Sequence, residues 1–345
     1  MSNNEIGPVF IVGNSRSGTT LMSRILKMHS KVYVLNETFM YDEVSKFEKT
    51  FNQLDHSEIE NILRNLVTIQ RKGIYLKSRT EKYKTEIGEI LNIYNNQNEN
   101  SLVSLLRAFY KYEANERGKV IAGDQTPRHV FSIEWLVSLF PDCKIINMVR
   151  DPRAILLSQR NKWKACKKYK QPLHEIIRAK LNYHPFTVSL LWNKSIDAAL
   201  TAENNNKSKS HVKTIVFEAF VQDSENTIKS VCDYIGIEFE KSMLNVDVEM
   251  TSNAKNDGKS GVVPDIADVW KSNLSMSEVY ICEKTVGQRL NQYGYIKHGA
   301  TMPGYGLVWW LLVWPPHIMI AMLLNMGRMG GNPLNFFLTR LRASK

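Results

Sequence analysis

Gly13 to Thr20 reads GNSRSGTT, one arginine set among small and hydroxylated residues. Such a stretch suits anion chemistry. The amides of a glycine-bearing turn at a helix start converge on a bound oxyanion, hydroxyls add donors, and a guanidinium adds a planar fork. The nucleotide-hydrolase loop G-x-x-x-x-G-K-[ST] works by the same backbone logic, but Thr19 stands where its lysine would reach β- and γ-phosphates. Arg16, two residues before Gly18, is the cation instead. The pattern points away from a terminal triphosphate and toward a donor with one charged group at its 5′ end.

A second polar cluster, RDPRAILLSQRNK, runs from Arg150 to Lys162. Asp151 has the chemistry of an N-cap and Pro152 that of a first helical residue, so Arg150 should follow a strand and Ser158 should ride the next helix. Both then face one pocket wall. Arg153, Arg160 and Lys162 add positive charge nearby, as a seat for a second phosphate would need. A third polar group, Asn36-Glu37-Thr38, follows a short apolar run, and ligands of open parallel sheets sit just past such carboxyl ends.

The elements that must position these residues follow from periodicity. Val9 to Val12 is an unbroken apolar run, expected of a strand covered on both faces, and Leu21, Met22, Ile25 and Leu26 recur at helical spacing behind the loop. Val32–Leu35, Lys119–Ala122 and Lys144–Val149 read as further strands. Residues from about Tyr41 to Gly118 read as a mainly helical insertion, within which Thr80 to Asn100, charged and rich in asparagine, reads as a solvated surface or loop. His29, His56, His184 and His211 are isolated and read as packing or surface residues. Trp135, Trp163, Trp192 and Trp270 read mostly as core aromatics.

With 345 residues and 43% hydrophobic content, one substantial core is expected. Cys143, Cys166, Cys232 and Cys282 are far apart without metal-type pairing, so they read as reduced thiols and not as a zinc site or a disulfide framework. MSNNEIGPVF shows no basic region followed by an apolar run, and no export signal is expected. The net charge of +11 suits anionic partners. After Glu283 every charged residue is basic: Lys284, Arg289, Lys297, Arg328, Arg340, Arg342 and Lys345. No nucleic-acid motif accompanies that field, which favours an anionic membrane as partner.

Together these residues resemble the sulfotransferase family that uses 3′-phosphoadenosine 5′-phosphosulfate, especially its bacterial and Golgi-type branches. SRSGTTL at Ser15 to Leu21 is similar to the family's 5′-phosphosulfate loop, and VRDPRAILLS at Val149 to Ser158 to its 3′-phosphate segment. The resemblance implies a P-loop-like three-layer α/β sandwich with a central parallel sheet. It implies that Arg16, Ser17, Gly18, Thr19 and Thr20 hold the 5′ side, Arg150 and Ser158 the 3′-phosphate, and Lys162 a further basic contact. Ile215 to Ile237 resembles the strand and helix after the cofactor site, and Trp270 to Tyr295 the closing helix. Glu37 falls where tyrosylprotein and several bacterial members carry a catalytic glutamate, with Asp124 and His129 as runners-up. Sulfuryl transfer needs such a base, and a cationic donor where charge builds on the leaving oxygen, a role for Arg16. No metal is implied.

Two positions depart from the family pattern. Gln125, Thr126 and Pro127 stand where related sequences often read K-T-P, so a neutral amide replaces a cation and its role could pass to Arg128 or Lys162. Phe217 stands where some members place tyrosine near the adenine.

Gly299 to Gly327 contains no Asp, Glu, Lys or Arg, and Gly306 to Gly327 is dense in Leu, Val, Ile, Met and Trp. Its length would allow a membrane crossing, but Pro315 and Pro316 divide it, so the sequence predicts a kinked or re-entrant helix pair in one leaflet. Trp309, Trp310 and Trp314 suit an interfacial belt, and Arg328, Arg340, Arg342 and Lys345 suit anionic headgroups. The alternative is an extra apolar helix docked on the protein.

The expectation is thus a sulfotransferase domain over residues 1–297 and a hydrophobic, basic membrane-associating segment over 298–345. The enzyme would sit on the cytoplasmic side of a membrane and act on a hydroxyl acceptor such as a carbohydrate, a lipid-linked glycan or a phenol. A P-loop nucleotide kinase and a non-catalytic nucleotide-binding membrane scaffold are the competing readings.

Overall fold

No residue of β1 (Val9–Gly13) reaches solvent. In the computed structural model, which describes residues 6–48, 50–73, 83–97, 99–246, 268–301 and 304–325, this strand is the centre of a parallel five-stranded sheet. Its partners are β2 (Val32–Leu35), β3 (Ile121–Gln125), β4 (Lys144–Val149) and β5 (Val212–Val216), in the order β2-β3-β1-β4-β5. Side-chain alternation divides β1 between two cores. Val9 and Ile11 pack with Met22, Ile25 and Leu26 of α1 (Thr19–Met28), while Phe10 and Val12 share a cluster with Leu63, Leu105, Phe109 and Phe140. Helices on both faces complete the expected three-layer α/β sandwich.

Between β2 and β3 lie α2 (Met40–Val44), α3 (His56–Lys72), α4 (Lys84–Asn95) and α5 (Leu102–Asn115), the expected helical insertion. Then α6 (Ile133–Leu139) precedes β4, and α7 (Pro152–Arg160), α8 (Lys162–Lys168), α9 (Leu173–Leu181) and α10 (Pro185–Asn204) connect β4 to β5. After β5 come α11 (Phe217–Gln222), α12 (Ser224–Ile235), α13 (Trp270–Asn273), α14 (Met276–Val286), α15 (Arg289–Gln292) and α16 (Gly304–Asn325).

Three sequence expectations are corrected. The stretch read as a solvated loop between Thr80 and Asn100 contains α4, whose Ile87, Ile90 and Tyr94 are buried; surrounding charge and asparagine diluted that spacing. Residues 80–82 and 98 lie outside the described residues. β3 starts at Ile121 and continues to Gln125 because Gly123 pairs with Val9 and Asp124 with Leu35, so Asp124 and Gln125 belong to a strand. Finally, α16 runs unbroken through Pro315 and Pro316 as 22 residues, about 33 Å at helical rise. Its flank rests on the domain: His184 Nε2 donates to the carbonyl of Trp310 at 2.9 Å, and Trp314 Nε1 donates to Thr187 Oγ1 at 3.0 Å. These contacts hold the turns around the prolines. Among the described residues it is the one helix long and apolar enough to cross a membrane. Arg328, Arg340, Arg342 and Lys345 lie outside the described residues.

The aromatic and histidine expectations hold in part. Trp192 and Trp270 are buried, whereas Trp135 and Trp163 are only half-buried. His29 and His211 serve packing, each bonding a main-chain oxygen, of Glu238 and Cys143 respectively.

Candidate active site

The loop between β1 and α1 is compressed. Ser17 N donates to Asn14 O at 3.1 Å, and both Arg16 (φ 77) and Gly18 (φ 93) are left-handed. That backbone strains a non-glycine residue such as Arg16. At Gly18 a Cβ would also run into the ring of Phe217, so only glycine lets the loop approach α11 this closely. Ser17 is fully buried and its Oγ has no partner. An unpartnered hydroxyl in a strained turn at a helix N-terminus is a vacant donor for an oxyanion.

The opposite wall is the first turn past β4, which neighbours β1 in the sheet with Met148 paired to Gly13. Arg150 emerges beside the loop, its Nη1 donating to Arg16 O at 3.2 Å and its guanidinium lying over the Phe217 ring at 4.3 Å. Trp192 Nε1 donates to Arg150 O at 2.9 Å, fixing the main chain there. Ser158, on α7 as its spacing required, accepts from Arg16 Nε at 2.9 Å. Arg16, Arg150 and Ser158 therefore form one contiguous wall. Burial lowers the pKa of Arg150 to about 10, opposed by Glu218 and reinforced by Arg16. Burial also lowers that of Arg16, opposed by Cys166 and Glu37. A guanidinium keeps its proton near neutrality, so the two are adjacent cations. Among the described residues neither has an ion-pair partner, and Arg150 Nε is buried without any partner. Adjacent desolvated cations of this kind call for an anion.

Arg153 and Arg160 do not join that wall, which corrects the sequence reading. Seven residues apart, they share the face of α7 that packs on α14. Arg153 pairs with Asp151 and Glu283, each at 2.7 Å, and stacks over Trp270 at 4.1 Å. Arg160 pairs with Glu278 at 2.8 Å and donates to Asn273 O. Both brace the scaffold. Lys162 stays at the site: burial lowers its pKa first, then Arg16 and Arg178, while Glu37 opposes.

Glu37 follows β2 in a segment tied to the end of β3. Thr38 N donates to Thr126 Oγ1 at 3.0 Å, while Asp124 accepts from Thr126 Oγ1 at 2.6 Å, from Tyr110 OH at 3.2 Å and from Thr38 Oγ1. Glu37 keeps exposure to solvent while protein groups crowd its carboxylate. That crowding raises its pKa, opposed in turn by Lys162, Arg128 and Arg16. Gln125 is buried at the end of β3 with Nε2 donating to Thr19 Oγ1 at 3.1 Å, which joins this side to the start of α1 behind the loop.

The runners-up for the base occupy other environments. Asp124 is completely enclosed, and burial raises its pKa to about 7. His129 is buried too; its Nε2 accepts from Tyr41 N at 3.5 Å, and burial lowers its pKa to about 3. Arg128, named as a stand-in for the missing lysine, is paired with Asp42 at 3.2 Å.

The knot of Asp124, Thr38, Thr126 and Tyr110 escaped the sequence reading, because Tyr110 comes from the helical insertion. So did Glu218, which accepts from Asp151 N at 3.1 Å and from Tyr295 OH at 2.7 Å and thereby steadies the residue after Arg150.

Comparison with known proteins gives an independent result. The family model described as the sulfotransferase family matches residues 8–241. A sulfotransferase domain from the curacin biosynthetic pathway superposes with a TM-score of 0.52 at 17% identity, over 84% of this chain and 98% of that one. A sulfotransferase domain from the olefin synthase of Synechococcus PCC 7002 matches with a TM-score of 0.46 at 15% identity, over 82% of this chain and 97% of that one.

Proposed function

The chain belongs to the sulfotransferase family, and on that premise we propose that it moves a sulfuryl group from 3′-phosphoadenosine 5′-phosphosulfate to a hydroxyl acceptor by direct in-line transfer. The residues present fit this donor. The buried, unpartnered Ser17 Oγ and Arg150 Nε lie on the two walls joined by the contact between Arg16 and Arg150. One molecule carrying anions at both ends would satisfy both.

In this reading Arg16, Ser17, Gly18, Thr19 and Thr20 hold the 5′ side, Arg150 and Ser158 hold the 3′-phosphate, and Lys162 adds a cation near the reacting group. Gln125, bonded to Thr19, supplies an amide donor where relatives place a lysine. Glu37 takes the proton of the acceptor hydroxyl. The acceptor oxygen then forms its bond to sulfur while the bond from sulfur to the bridging phosphate oxygen breaks. The products are a sulfate ester and 3′-phosphoadenosine 5′-phosphate, and the released proton ends on Glu37. Arg16 and the loop amides face the charge that develops on the bridging oxygen. The acceptor class comprises carbohydrate, lipid-linked glycan or phenol hydroxyls. Residues 1–297 carry this chemistry, and the segment from 298 associates the enzyme with the cytoplasmic side of a membrane.

The observation that carries the reading is the adjacent pair of guanidiniums, half-buried Arg16 and buried Arg150, with no ion-pair partner among the described residues. Transfer of labelled sulfate from the donor to a panel of hydroxyl acceptors tests it. The wild type should transfer label, and Glu37→Gln should transfer far less while binding 3′-phosphoadenosine 5′-phosphate as before. Nucleotide binding without transfer to any acceptor would instead indicate the scaffold.

A further inference from the structure

The apolar surface around α16 is not explained by the transfer site. Trp309 is 64% exposed, Leu312 70%, Met319 60% and Leu323 60%. On α9, Leu173, Ile177 and Leu181 recur every fourth residue and are 71%, 44% and 38% exposed, although this helix buries Glu175 and Ala179. The two helices touch. Large side chains exposed together on adjoining elements mark a contact surface.

The docking of α16 decides how such a surface can meet its partner. Its bonds to the domain begin at Trp310 and Trp314 and end at Asn325, whose Nδ2 donates to Asn182 Oδ1 at 2.8 Å and whose Oδ1 accepts from Arg178 Nη1 at 3.3 Å. In between, the rings of His184 and His317 lie 5.0 Å apart. The pinned length is about 22 Å at 1.5 Å per residue. A helix held on a polar domain over that distance cannot also be enclosed by a hydrocarbon layer about 30 Å thick. It can only offer its outer face.

Charge separates the two candidate partners. Besides Lys162 at the site, α8 exposes Lys164, Lys167 and Lys168 and carries no carboxylate, and Lys180 is exposed on α9, where Arg178 is paired with Glu175. A second copy would set this basic rim against itself, whereas anionic headgroups complement it. The surface also adjoins the site. The Lys180 ammonium lies over the Trp163 ring at 5.6 Å, which places the end of α9 against the start of α8, where Lys162 sits.

We propose that α9 and α16 form one in-plane membrane platform at the mouth of the transfer site, and that the acceptor is an amphiphile whose hydroxyl is presented from an anionic bilayer. The platform stands on its own; the acceptor class rests on the sulfotransferase reading. The platform is monotopic, so α16 lies along one leaflet and does not cross.

The full-length protein is mixed with phosphatidylcholine vesicles with and without phosphatidylglycerol, and sedimented. It should bind the anionic vesicles at least tenfold better, and Ile177→Glu and Leu312→Glu should each weaken that binding tenfold or more. Fluorophores placed by Leu312→Cys and Leu323→Cys in a Cys166→Ser background should show equal depth against lipid quenchers. Depths that differ by the rise between these positions would mean a crossing helix and overturn the platform. Loss of self-association, with vesicle binding unchanged, would identify the surface as a contact between copies and also overturn it. For the acceptor, a long-chain alkyl glycoside in vesicles should be sulfated at least tenfold faster than its short-chain soluble counterpart, and Ile177→Glu should erase the difference. Equal rates overturn the acceptor class alone. Titration with 3′-phosphoadenosine 5′-phosphate accompanies every variant: unchanged binding shows an intact fold, and absence of binding in the wild type marks failure of the sulfotransferase reading instead.

Discussion

Arg150, just past the fourth strand, donates from Nη1 to the main-chain oxygen of Arg16 in the loop past the first, at 3.2 Å and across 134 residues of chain. Neighbouring strands make that meeting possible, since the sheet order sets β4 directly beside β1. The contact unites the two walls proposed to bind the donor's anions.

Truncation of Arg150 should therefore act on one end of the ligand. Hydrogen bonds to charged groups contribute about 1.5–3 kcal/mol, or roughly 10- to 150-fold in affinity. Arg150→Ala should lose that much for 3′-phosphoadenosine 5′-phosphate and little for adenosine 5′-phosphate, which lacks the 3′ group. Calorimetric titration of both nucleotides checks this, and equal losses for the two would contradict the assignment.

Glu37→Gln should lower turnover by on the order of 10² to 10⁴-fold, the usual worth of a general base, and leave nucleotide affinity within a few-fold. Crowding holds the Glu37 pKa above the ordinary carboxylate value, with Lys162 the leading opposing charge. A base must be deprotonated to act, so wild-type turnover should rise with pH through this elevated pKa. Lys162→Met should move the rising limb to still higher pH. A pH profile of kcat for the three proteins reads all of these effects.

Asp124 gives a pH signature in stability. Its pKa is about 7 in the folded protein, against roughly 3.9 in an unfolded chain. Below pH 4 both states hold the proton and the contribution is complete. Between about pH 4 and 7 the unfolded chain releases the proton while the folded protein retains it, so the contribution declines and is lost above 7. The stability advantage of wild type over Asp124→Asn should shrink over that window. Urea unfolding at a series of pH values measures it, and a constant difference would show that Asp124 is not buried as a neutral acid.

Arg153→Ala should destabilise by about 3–5 kcal/mol, since it leaves Asp151 and Glu283 buried without their shared cation. Denaturant unfolding checks the value. Loss of nucleotide affinity without loss of stability would return Arg153 to the binding wall.

Much of this architecture was legible because it rests on local signals. The run Val9–Val12, the spacing from Leu21 to Leu26, and the Asp151-Pro152 cap each depend on a few adjacent residues, and the structure places them as read. What was not legible depends on distant partners. Nothing near Arg153 in sequence announces Glu283 or Trp270, so from sequence alone its positive charge reads as a ligand contact. Ile87, Ile90 and Tyr94 carry a helical spacing that flanking lysine, glutamate and asparagine obscured. Pro315 and Pro316 would break an isolated helix, but contacts from His184 and Thr187 hold α16 together. In each case tertiary packing prevailed over a local rule.

Calorimetric titration of the full-length chain with 3′-phosphoadenosine 5′-phosphate, set against ATP, tests the central claim most directly. The first nucleotide should bind one to one and more tightly than ATP, and Arg16→Ala and Arg150→Ala should each weaken it. Tighter binding of ATP, or no binding of the 3′-phosphorylated nucleotide, would contradict a site built to grip one adenosine by both of its anionic ends.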